Sequence, residues 1–151
     1  MRLAGSLLTN NKNALAWATL MAAIGLHVFD ETLTDFLPFY NGVVLELRQR
    51  LGFFPMPTFS FPLWLGGLIF LVTVGFCFTP IIAKGGNWLR IIAIILGILM
   101  ILNALNHMLG SVYLGRILPG FWSSPLLLAA SIFVVLRGLK KASWQKTRQL
   151  G

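Results

Sequence analysis

Residues 88–110 read WLRIIAIILGILMILNALNHMLG, an almost unbroken apolar run. A helix needs about 20 such residues, at ~1.5 Å each, to cross the hydrocarbon core of a bilayer. Towards its end the run turns polar. Asn103 and His107 lie at i and i+4 on one helical face, with Asn106 beside them and Ser111 four residues past His107. A membrane helix with polar groups confined to one end poses two questions: which way it crosses, and what meets those groups.

Three further stretches approach the same length: about 14–33, about 61–82 and about 118–137. The spacing predicts an all-α protein, a four-transmembrane-helix bundle forming a single integral membrane domain over 1–151. Breakers separate the spans: Pro38, Pro55 and Pro57 in the first loop, Gly85-Gly86 in the second, Pro119-Gly120 in the third. Pro125 falls inside the fourth expected span, where it is a candidate kink. Composition agrees: 57% of the 151 residues are hydrophobic and 11% charged, against about 25% charged in soluble domains. Mean hydropathy is +0.82. The apolar part of the N-terminal segment runs directly into His27, with no small-residue cleavage site, so a retained first span is expected rather than a signal peptide.

Lysine and arginine set the orientation. Arg2, Lys12, Lys84, Arg90, Arg137, Lys140, Lys141, Lys146 and Arg148 fall on one face of a four-span arrangement; Arg48, Arg50 and Arg116 fall on the other. Both termini are therefore expected in the cytoplasm, in a plasma membrane of the bacterial inner-membrane type. The net charge of +8 reads as this topology signal, and no nucleic-acid partner is expected. The lone cysteine, Cys77, admits no internal disulfide and reads as a small packing residue. In the long first loop, residues 41–52 (NGVVLELRQRLG) predict a short amphipathic helix in the outer interface, with Val43, Val44, Leu47 and Leu51 on its apolar side. The aromatics Phe36, Phe39, Tyr40, Phe53, Phe54 and Phe59 surround it. It is an anchor for the loop or a lid over a site beneath.

Depth counting then locates a candidate site. His27 lies about 21 Å along the first span from Asn13, and Asn103 and His107 lie about 22 and 28 Å along the third from Trp88. Asp30 and Glu31 follow His27 at i+3 and i+4, on a stripe that runs back through the small residues Ala23 and Ala16. The chain's two histidines and all four of its carboxylates, Asp30, Glu31, Asp35 and Glu46, thus belong to the outer half. Ionisable groups in a span cost about 2.5–3.5 kcal/mol at the helix centre on insertion scales, and persist when paired, metal-bound or functional. Two histidines and a carboxylate with open positions suit catalytic zinc or non-haem iron. His27, Glu31 and His107 are the candidate metal ligands. Asp30 is a further ligand or general base, and Asn103 orients a ligand or binds substrate. Without metal, the same groups suit acid–base chemistry. The purely structural alternative pairs His27 with Glu31 and Arg116 with Asp30, and makes Asn103 a bond between helices.

The stretches HVFDE (27–31), NALNHMLGS (103–111) and GRILPGFWSSPLLL (115–128) resemble the HXXEE-motif proteins, small polytopic membrane proteins. The resemblance implies a polytopic fold and strengthens the choice of site, but supplies no reaction. Asp30 departs from it, standing where the motif has Glu; the carboxylate's reach is shorter by one methylene, which leaves a place behind the ligands open to it as well as one among them.

Three functions follow as expectations. The first is a small membrane enzyme acting on an apolar small-molecule substrate, lipid-like or isoprenoid, with membrane lipid around it. The second is a structural or accessory subunit, or oligomer, packing through Gly66, Gly67, Gly75 and Gly97. The third is a transporter component, disfavoured because the inner halves of the first and third spans offer little beyond Thr19.

Overall fold

The computed structural model describes residues 2–140, with side chains from residue 12 onward. The cations Lys141, Lys146 and Arg148, and the side chain of Arg2, lie outside the described residues. The element order is α1 (Arg2–Leu33), α2 (Phe36–Leu51), α3 (Phe61–Cys77), α4 (Thr79–Ala83), α5 (Asn87–Tyr113) and α6 (Ser124–Leu139).

Among the described residues three helical stretches are long and apolar enough to cross a membrane: Lys12–Leu33, Phe61–Ala83 and Asn87–Tyr113. The second is jointed. Pro80 has no N–H to donate and its ring crowds the carbonyl four residues back, so the helix breaks at Phe78, between α3 and α4. The fourth expected span, 118–137, is helical only in part. Residues 119–123 form turns, and α6 begins only at Ser124. Its 16 residues measure about 24 Å. Pro125 sits at the start of α6 and does not kink it, because the first turn has no intrahelical use for its missing N–H.

The interfacial helix is also longer than expected. It starts at Phe36, not 41, because Pro38 falls in its first turn, where proline is tolerated. Asp35 precedes it with φ 57. Its inner side carries Leu37 and Val44, both buried; Val43 and Leu51 are exposed.

Every third or fourth residue of α1 is buried: Asn13, Ala16, Leu20, Ala23, His27 and Glu31 form one stripe, with Trp17, Met21 and Val28 beside it. This stripe packs on α6, and α6 packs in turn on α5. The core joins Leu20 and Ala23 of α1, Ala93 and Ala104 of α5, and Leu127, Ala130 and Val134 of α6. Lipid tails are as apolar as leucine, so close backbone approach rather than hydrophobicity holds such helices together. At Gly97 a Cβ would stand 3.2 Å from the Ser131 carbonyl oxygen and 2.7 Å from a methyl of Val135; at Gly138 it would meet Ile94.

α3 is different. None of its residues is buried. It rests against α1, where the Trp17 indole N–H donates to the Gly75 carbonyl at 2.7 Å and Gly75 makes room for Met21. Gly66 and Gly67 face open space, and Cys77 is exposed rather than packed.

Candidate metal centre

The last turns of α1 carry His27 and Glu31 to the same point as His107 of α5. His27 Nε2 lies 3.4 Å from Glu31 Oε1, and His107 Nε2 lies 3.2 Å from the same oxygen. The two rings meet edge to face, with centroids 4.9 Å apart. One ligand atom from each of the three residues lies within 4.8 Å of the others. All three side chains are buried: His27 is 2% exposed, His107 4% and Glu31 6%. Among the described residues, no lysine or arginine pairs with Glu31, and the two imidazoles are its only ionisable partners.

The 3.2 Å contact is at the outer limit of an ordinary N–H···O hydrogen bond and the 3.4 Å contact lies beyond it. Donor atoms held at about 2.0–2.1 Å by tetrahedral zinc stand about 3.3 Å from one another, so both contacts are also compatible with a shared ion.

Asn103, one turn before His107, places its amide nitrogen 3.0 Å from His27 Nε2. Asp30 stays outside the cluster. Its Oδ2 accepts from the Ser123 N–H at 2.8 Å and from the Ser123 hydroxyl at 2.7 Å. The same hydroxyl lies 2.7 Å from His27 Nδ1. Arg116, the alternative partner for Asp30, stands elsewhere, its guanidinium carbon 5.8 Å from the centre of the Phe39 ring. Asn106 is exposed, and Glu46 pairs with Arg50.

Sequence reasoning missed two residues. Ser123 is the first. Its signal was Ser-Ser-Pro before an apolar run, a helix-start pattern, and it does precede α6, but its side chain serves α1. Gly120 is the second. The turn between α5 and α6 lays its backbone directly over the cluster, where a Cβ on Gly120 would stand 3.0 Å from His27 Cε1 and 3.1 Å from both Glu31 Cγ and His107 Cε1. Its φ of 79° also favours glycine. The turn is pinned at three points. The Gly120 N–H donates to Thr34 Oγ1, the Ser124 hydroxyl donates to the Gly120 carbonyl, and the Leu118 N–H donates to Ser111 Oγ. Ser111 in turn donates to the His107 carbonyl. Phe36, the first residue of α2, covers the His107 ring at 5.6 Å between centroids and leans on Trp64 of α3.

No protein-family model, curated protein or solved structure matches the chain. What is established is an all-helical protein with membrane-length apolar helices and a buried His–Glu–His cluster where α1, α5 and the turn before α6 meet.

Proposed function

We propose that the chain is a four-span plasma-membrane protein that holds one zinc or iron ion between His27, Glu31 and His107, and uses it on an apolar, lipid-like substrate in the outer half of the bilayer. One observation carries this reading: two imidazole nitrogens converge on one carboxylate oxygen, at 3.2 and 3.4 Å, in a buried place with no other counter-charge for Glu31 among the described residues. Three protein ligands leave a coordination position open, which is the arrangement of catalytic rather than structural zinc. Such an ion supplies a Lewis acid. The chain's own groups hold it, exclude water through Gly120 and Phe36, and place the Asn103 amide beside His27. A groove of about 260 Å³ lined by Ser111, Val112, Gly115, Arg116, Ile117 and Phe121 adjoins the last turn of α5; its apolar walls suit an acyl or isoprenoid chain.

The fourth span is α6 together with the turn before it. Non-helical backbone is tolerated at membrane depth where protein covers it, and Leu118, Gly120 and Ser123 are buried. Arg90, Arg137 and Lys84 mark the cytoplasmic end, and α2 lies in the outer interface. The likeness to HXXEE-motif proteins belongs to the same proposal.

Metal analysis of the detergent-purified protein tests it. About one zinc or iron per chain is expected in the parent, and none in His107→Ala or Glu31→Gln. A folded parent that neither retains nor takes up metal contradicts the reading. The second reading, an accessory subunit, is favoured by α3, whose Gly66-Gly67 face is open and which packs on α1. It predicts a stable complex through α3 that survives His107→Ala.

A further inference from the structure

The lone serine hydroxyl that touches both Asp30 and His27 can donate only one proton. Ser123 Oγ lies 2.7 Å from Asp30 Oδ2 and 2.7 Å from His27 Nδ1, with a more distant alternative acceptor, the Gly120 carbonyl, at 3.3 Å. An ionised carboxylate accepts and does not donate. The hydroxyl proton therefore goes to Asp30, and the Ser123 lone pair must receive a proton from His27. In the neutral ring that fixes the proton on Nδ1 and leaves Nε2 as an acceptor. The other side of the ring agrees, since what stands 3.0 Å from Nε2 is the Asn103 amide nitrogen, a donor.

We infer that Asp30 and Ser123 are positioning residues that hold His27 as the Nδ1–H tautomer, and so turn a histidine–carboxylate contact into a cation-binding one. With no proton on Nε2, His27 cannot donate to Glu31 across the 3.4 Å between them. A cation there would take the Nε2 lone pair in place of the Asn103 N–H. The opposite tautomer would give His27 an N–H to donate to Glu31, and the pair would close on itself with no need of metal. Partners behind a metal-binding histidine commonly do this work. Here the carboxylate acts through a hydroxyl because Asp30 and His27 share a helix at i+3, and Ser123, arriving from the turn before α6, bridges them. Its backbone N–H on the same Asp30 oxygen holds the carboxylate still.

The inference rests on the proposed metal centre for its purpose but not for its test. Nitrogen NMR of histidine-labelled protein in nanodiscs, at a pH where the rings are neutral, reads the tautomer without metal, and His27→Gln assigns the signal. The parent is expected to show His27 as Nδ1–H. Ser123→Ala should mix the tautomers and weaken zinc binding about 10- to 100-fold. Ser123→Thr, which keeps the hydroxyl, should restore both, and Asp30→Asn should disturb both from the other end. If Ser123→Ala does not fold, Asp30→Asn and Ser123→Thr carry the test. A parent His27 protonated on Nε2, or a tautomer unmoved in Ser123→Ala or Asp30→Asn, overturns the inference. A parent with the expected tautomer but no metal affinity overturns the metal reading and leaves the tautomer lock standing.

Discussion

At one end of the bundle Arg137 donates to the Asn13 side-chain oxygen at 2.8 Å, and Arg90 donates to the Gly138 carbonyl at 3.3 Å. At the other end Glu31 faces two imidazole nitrogens. Both ends bury polar groups between the same helices. The first does so with donors set against acceptors. The second sets a buried carboxylate between two imidazole nitrogens with no lysine or arginine beside it among the described residues, and a buried carboxylate is costly unless a positive charge or donors meet it. On the proposed reading the first end is a fastening and the second a receptacle.

Substitutions should separate the two ends. The largest effect belongs to His107→Ala, which removes a proposed ligand: metal content is expected to fall to background while helicity by circular dichroism holds. Next comes Gly97→Leu, at the α5–α6 seam between the ends. The Ser131 carbonyl 3.2 Å from the added Cβ is backbone and yields little, so a loss of about 3 kcal/mol is expected in detergent unfolding, felt at both ends alike. Gly120→Ala should cost about 2 kcal/mol, for a strained φ and three close contacts; it should lower metal affinity without disturbing the Arg137 end. The smallest is Asn13→Ala. One hydrogen bond between membrane helices is worth about 0.6 kcal/mol, and metal binding should not change. If Asn13→Ala lowered metal affinity as much as Gly120→Ala, the division between the ends would fail.

The apolar run of α5 was legible to within a few residues, since nothing in 88–110 competes with helix. The stripe Ala16–Ala23–His27–Glu31 was legible because small residues and ionisable ones share a period of three to four. That His27 and His107 lie at one end followed from counting residues along two helices crossing the same way. The start of α6 was not legible: Leu118, Phe121 and Trp122 are as apolar as a span, and only Pro119-Gly120 and Pro125 hint at a turn. Pro38 misled in the opposite direction, because a proline reads as a break while the first turn of a helix accepts it. Ser123 was hidden for a third reason. Its role depends on Asp30, 93 positions away, and no local pattern records a contact of that range.

X-ray absorption spectroscopy of the zinc-loaded protein in lipid nanodiscs examines the His27–Glu31–His107 centre itself. Two imidazole nitrogens and one or two oxygens at about 2.0–2.1 Å are expected in the parent, and this signature is expected to disappear in His107→Ala and in His27→Ala. A spectrum with no imidazole scattering, or one that neither substitution changes, would mean that the cluster only joins two helices.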